Sequence, residues 1–218
     1  QSTPEIEQAL RLHHGRLVDS SQLPAPRTAR NHYLLWWDYE APALLQAELG
    51  LWMGLDYVSI APDFRGPGFG FGSARPARWG TASGAPLPLL VQPTHIEDDV
   101  LMGTYPYSQK LSSEEALRRS EELLTEAMRH GVPVVANVHP MLAVGDDTVF
   151  LEGLLDAASE RGLPILSAER HAAHSWARLE VLTGGEAPGV PLLRWTAGVD
   201  CSSPVSPSVL APRGCLGP

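Results

Sequence analysis

Residues 112–167 run twice through one cycle, a helical stretch, a glycine and a short apolar run. Ser112 with Glu115 three residues on forms a capping box, Leu117, Leu123, Leu124 and Met128 share a helical face, and Gly131 closes the helix ahead of VPVVANVHP. Residues 150–160 repeat the pattern, capped by Asp147 or Thr148 and stopped at Arg161-Gly162 before LPILS. A continuous apolar run reads as a strand covered on both faces, and strands joined through helices lie parallel. The expected fold class is therefore α/β, one domain of strand–helix units around a mainly parallel sheet.

The remaining segments extend this order. Thr3-Pro4-Glu5 starts a helix that continues to Gly15 or Asp19, and Pro24 and Pro26 end that unit. TARNHYLLWW reads as a strand running into a loop, residues 43–49 as a short helix closed by Gly50, and LDYVSIA as a buried strand. PDFRGPGFGFGSARP is dense in Gly and Pro and reads as a long loop, and its glycines lack phosphate-binding spacing ahead of a helix. PARWG and LPLLVQP form a hairpin whose turn includes Ser83-Gly84, and a last helix covers residues 168–182. The domain is placed at residues 1–195, with a mobile Pro/Ser/Gly-rich tail at 196–218.

Composition narrows the partners. A net charge of −9 without a Lys/Arg cluster disfavours nucleic acid, and no apolar run is long enough to span a membrane. Cys201 and Cys215 form neither a disulfide framework nor a zinc-ligand set, and the compartment, secreted, cell-envelope or cytoplasmic, stays open.

Ligands of parallel α/β folds bind beyond the C-terminal ends of the strands, so polar residues that follow apolar runs are weighed first. His139 follows such a run and is restrained by Pro140, which suits either a general acid or a histidine bonded to neighbouring backbone. His32 leaves an earlier strand beside Trp36 and Trp37, aromatic planes that suit sugar rings or a core. QPTHIEDD groups Gln92, Thr94, His95, Asp98 and Asp99. Its adjacent acids read first as the first turn of a helix and second as metal ligands, which would make the chain a metal-dependent hydrolase of another barrel family. His13-His14 and the His171, His174 pair read as exposed helix surface, and Arg75 before Pro76 as a guanidinium that orients a carboxylate or as a surface residue.

A strand–loop histidine, a Gly/Pro-rich loop with Arg-Pro and a late strand with His-Pro occur here in an order that resembles the polysaccharide deacetylase family, over residues 27–176. The resemblance implies an irregular (β/α) barrel and a metal-dependent hydrolase that removes acetyl groups from N-acetylated sugars. On that footing VVANVHP makes His139 the catalytic acid, SARP points to Arg75 as a second catalytic residue, and His32, Trp36, Trp37, Gln92 and His95 are expected at a carbohydrate or other small polar substrate. A divalent metal is implied by the family alone. The second histidine of its metal motif falls on Trp36, so His32 is the one motif-matched ligand and no tightly held zinc is expected.

The family's opening strand, with its paired aspartates, would precede the first helix. The chain begins at Gln1, so a divergent or truncated member with an incomplete or open barrel is expected. It would be weakly active or inactive, or would serve as a non-catalytic carbohydrate-binding or scaffold domain. The gap is expected to be filled by VPLLRW, by the tail, or by another copy pairing on the bare strand edges.

Overall fold

The structure is a computed structural model that describes residues 3–20, 24–31, 36–56, 74–106, 108–140 and 148–183. The elements run α1 (Thr3–Ser20), β1 (Thr28–Ala29), α2 (Ala41–Glu48), β2 (Met53–Gly54), β3 (Ala77–Gly80), β4 (Pro86–Val91), β5 (Ile96–Glu97), α3 (Asp98–Met102), α4 (Ser113–His130), β6 (Ala136–Asn137), α5 (Thr148–Glu160) and α6 (Ala168–Thr183). The class is α/β, as expected, although of the two helix–glycine–strand cycles read from residues 112–167 only the first ends in a strand, β6.

β1, β2 and β4 run parallel, and β3 joins β4 antiparallel, giving the order β1-β2-β4-β3. β5 and β6 form a separate parallel pair, with Ile96 opposite Ala136 and Glu97 opposite Asn137. The period of two along β4 sorts its side chains between two layers. Leu87, Leu89 and Val91 pack with Ala43 and Leu51 on the α2 side, whereas Leu90 joins Met53, Leu55 and the α6 residues Ala172 and Trp176. The Trp176 indole N–H donates to the Trp52 carbonyl at 3.0 Å, which lets so large a ring be buried without an unmet donor. Ile96 of β5 is covered by a third cluster from α3, α4 and α5, centred on Leu101, Leu123, Phe150 and Leu154.

Local signals hold where they are self-contained. Ser112 Oγ accepts the Glu115 N–H at 3.3 Å, and Gly131 ends α4 at φ 58°, a left-handed conformation that favours glycine. The β3–β4 hairpin turns where expected: Thr81 N–H donates to the Ala85 carbonyl at 2.8 Å, and Gly84 takes φ 85°.

Strand lengths differ from the sequence reading. VPVVANVHP holds two strand residues, with β5 as their ladder partner among the described residues, and Ala136 is exposed rather than covered on both faces. LPILS forms no strand. Pro164 lacks an N–H, no described strand lies beside the segment, and Ile165 and Leu166 are 56% and 44% exposed. No closed barrel is present among the described residues, which form two sheets. VPLLRW, the tail, His32 and most of LDYVSIA and the Gly/Pro-rich loop lie outside the described residues. No described helix is long and apolar enough to cross a membrane.

Gly103, just after α3, gives a test of this packing. A Cβ there would sit 2.3 Å from the Asp99 carbonyl oxygen and 3.0 Å from Ser108 Oγ. Gly103→Ala is expected to lower stability by about 1–3 kcal/mol, the usual cost of overpacking. The loss should appear as a lower urea midpoint at unchanged m-value; an unaltered midpoint would show that this turn has room to move.

Candidate acid–base site

The C-terminal ends of the parallel strands bring charged and polar side chains together. Arg30 and Asn31 follow β1, Asp56 follows β2, Gln92 to His95 follow β4, Glu97 ends β5, Asp98 opens α3, and Asn137 ends β6 two residues before His139. This is the end of a parallel sheet at which ligands bind, since successive loops converge there.

Hydrogen bonds knit these ends across the two sheets. Thr94 Oγ1 donates to the Leu55 carbonyl at 2.9 Å, and the Asp56 carboxylate receives Asn31 N–H and Gln46 Nε2. Burial raises the Asp56 carboxyl to about 6 against those hydrogen bonds and the nearby Arg30 charge. Glu97 Oε2 accepts from Arg30 Nη2 at 2.9 Å and from Asn137 Nδ2 at 3.0 Å, whereas Glu97 Oε1 and Arg30 Nε are buried without hydrogen-bond partners. An unmet buried polar atom costs about 1–3 kcal/mol. Burial raises the Glu97 carboxyl to about 7; Arg30 and Asn137 oppose the shift, and Asp98 and Asp99 add to it.

The centre of the group is a pair. Asp98, fully buried, accepts the His139 backbone N–H on Oδ2 at 2.5 Å and meets His139 Nδ1 with Oδ1 at 2.6 Å; Oδ1 also accepts the Asp99 N–H at 2.8 Å. An ionised carboxylate only accepts, so Nδ1 carries the proton and Nε2 is left as the position that exchanges one. The His139 side chain is 32% exposed, open enough to meet a ligand. Asp98, read from sequence first as a helix-start residue, does open α3, and it also orients the imidazole. The sequence reading missed that partnership.

The other candidates sit differently. Gln92 and His95 are buried. Gln92 Nε2 donates to the Ala74 and Pro93 carbonyls at 3.2 and 2.9 Å, and His95 Nδ1 accepts the Val135 N–H at 3.0 Å, fixing the approach to β6. Burial, helped by the neighbouring His171, lowers the His95 imidazole to about 4, so it is neutral near neutral pH. His171 corrects the sequence reading: it is half-buried, with Nε2 3.1 Å from Gln92 Oε1, because α6 lies against the sheet on that face. Arg75 is exposed and donates to the His130 carbonyl at 3.1 Å, at the end of α4. Trp36 meets Trp79 edge-on at 5.1 Å within the α2-side cluster, and Trp37 is half-buried.

The metal motif implied by the family resemblance does not fit, because Trp36 has no ligating atom and its ring is committed to that packing. Asp98, Asp99 and His139 offer ligand atoms within 4.8 Å of one another, a spacing that suits a divalent ion. In the structure Asp98 accepts three hydrogen bonds, two of them from His139, and the two residues form a hydrogen-bonded acid–base pair. No protein-family profile matches this chain, nor does any curated protein or solved structure.

The Glu97 shift carries a pH signature. A folded-state value of about 7 against 4.5 unfolded means that the carboxyl contributes stability below pH 4.5 and loses it as the pH rises through 7. A shift of this size is on the order of 3 kcal/mol. Urea midpoints of wild type and Glu97→Gln should therefore diverge across that window, the wild type weakening relative to the variant with rising pH. Parallel midpoints would show that Glu97 is not desolvated.

Proposed function

We propose that this domain is hydrolase-like, resembles the polysaccharide deacetylases and acts on N-acylated carbohydrate, with His139 delivering the proton. The observation that supports the reading best is the buried Asp98 carboxylate on His139 Nδ1, which presents Nε2 from the C-terminal end of a parallel strand pair. Amide hydrolysis needs a proton on the departing nitrogen, because an amide anion is too basic to leave. Water adds to the acyl carbon and gives a proton to His139 Nε2, Asp98 steadies the imidazolium so formed, and Nε2 passes the proton to the nitrogen as the C–N bond breaks. Arg75, which the resemblance also singles out, is given no part in the proposal, since its guanidinium holds the end of α4.

A second reading has its own observation. Trp36 stands where the resembled family has a metal ligand, and a site without activated water retains substrate binding at the same strand ends. A non-catalytic carbohydrate-binding domain is that reading.

Acetate release from N-acetylglucosamine oligomers, assayed together with retention of the same oligomers on the immobilised chain, tests both. The deacetylase reading expects release that is lost in His139→Ala and falls by about 10²–10⁴-fold in Asp98→Asn, the range for a disabled acid–base group. Retention without release supports the binding domain, and neither retention nor release overturns both readings.

A further inference from the structure

Tyr39 is the most exposed aromatic side chain among the described residues, 59% open, and nevertheless it is held in place. Its ring lies against Trp79 at 5.6 Å and 42°, Trp79 in turn meets Trp36, and both tryptophans pack on the α2-side cluster. The backbone is tied to the same hairpin: the Trp79 indole N–H donates to the Tyr39 carbonyl at 2.9 Å, and the Glu40 carboxylate accepts the Ala82 N–H at 2.6 Å. Asp38 Oδ1 accepts the Glu40 and Ala41 N–H groups at 3.0 and 3.1 Å, which fixes the turn from Tyr39 into α2. An aromatic ring left open to water on a fixed support is ready for a ligand, since binding then orders little further.

Size and charge narrow the ligand. A stable protein partner needs about 800 Å² of surface on each side, whereas the open apolar area here is one tyrosine ring beside a half-buried tryptophan. The charged residues next to Tyr39 in the chain are both acids, Asp38 and Glu40, and the Thr81 and Ser83 hydroxyls lie 2.8 Å apart in the adjoining turn. Carboxylates repel an anion and draw a cation, and an aromatic face accepts the C–H face of a sugar or an ammonium group. We propose that Tyr39 and Trp79 form a surface platform for one amino-sugar ring of a glycan, its C–H face on Tyr39 and its ammonium beside Glu40. The platform is separate from the acid–base site: β3 leads from Arg78 opposite Leu90 to Gly80 opposite Pro86 at the start of β4, whereas the acid–base groups gather past the C-terminal ends of the parallel strands. It needs no turnover at His139, although an amine-bearing sugar is also what hydrolysis of an N-acylated one releases.

Tetramers of glucosamine, N-acetylglucosamine and glucose are titrated into the full chain at mildly acidic pH, where the sugar amine is charged. Binding is followed by NMR at the tryptophan indole N–H signals, that of Trp79 being assigned by its loss in Trp79→Phe. The glucosamine tetramer is expected to shift the Trp79 signal and to bind more tightly than the two neutral tetramers. Tyr39→Ala, which removes an exposed ring and should melt like wild type, is expected to weaken that binding by about tenfold, near the upper end of what one aromatic contact supplies. Glu40→Gln, whose amide oxygen still accepts the Ala82 N–H, tests the charge without touching the rings; it should cost the glucosamine tetramer about threefold, the scale of an exposed ion pair, and leave the neutral tetramers unchanged. His139→Ala should bind as wild type does. A Trp79 signal that no tetramer moves, equal binding of all three, or glucosamine binding that Tyr39→Ala leaves intact would overturn the proposal. Binding with the Trp79 shift but without acetate release leaves the platform standing while the deacetylase reading fails, and release without the shift reverses that outcome.

Discussion

A carboxylate as deeply buried as Asp98 persists only if hydrogen bonds replace the water it gave up. Asp98 takes three, and two come from one residue across the strand pair, His139, through its backbone and its ring. Much else depends on that exchange. β5 and β6 share two ladder positions, too few to fix a parallel register alone, so the Asp98 bonds, with those of Glu97 to Asn137 and His95 to Val135, set where β6 lies. The groups that define the chemistry are thus also the groups that hold the strand carrying it.

The same economy explains the polar layer beneath the site. Gln92, Thr94 and His95 are fully buried where β4 gives way to β5, a segment with irregular backbone whose donors and acceptors need partners. Its side chains in turn satisfy groups of the neighbouring segments: Gln92 bonds the Ala74 and Pro93 carbonyls and His171, Thr94 the carbonyl after β2, and His95 the Val135 N–H before β6. The layer bridges the four-stranded sheet, the strand pair and α6. It lets one site form from two sheets that share no ladder.

How much of this could be read from the sequence follows from the range of the interactions involved. The ends of α4, the β3–β4 turn and the closing glycines are set by residues within about four positions of one another, and they appear where the sequence places them. Strand extent depends on a partner far along the chain: among the described residues LPILS has strand composition and no strand beside it, and VPVVANVHP, whose composition suggests cover on both faces, leaves Ala136 exposed. The site was legible in its parts. QPTHIEDD and VVANVHP both show polar residues after apolar runs, but that Asp98 meets His139 depends on which strands pair, and Arg30 carried no signal beyond following a short strand. His171 misled because helical spacing tells which residues share a face without telling what covers it.

The charge at the strand ends also bears on the substrate class in the proposed reading. Glu97, Asp98 and Asp99 cluster with Arg30 as the paired cation, and Asp56 lies close enough for Arg30 to lower its pKa. Such a surrounding repels a phosphorylated or carboxylated ligand, whose charge would add to that of Asp98 and Asp99, which already raise the proton affinity of Glu97. A neutral acyl amide meets no such penalty. Hydrolysis of that amide yields an amine that takes up a proton, and a cationic product is stabilised by the same carboxylates. The field that disfavours anions therefore favours the charge that develops as the nitrogen departs, so the proton on His139 and the acids behind it act in one direction.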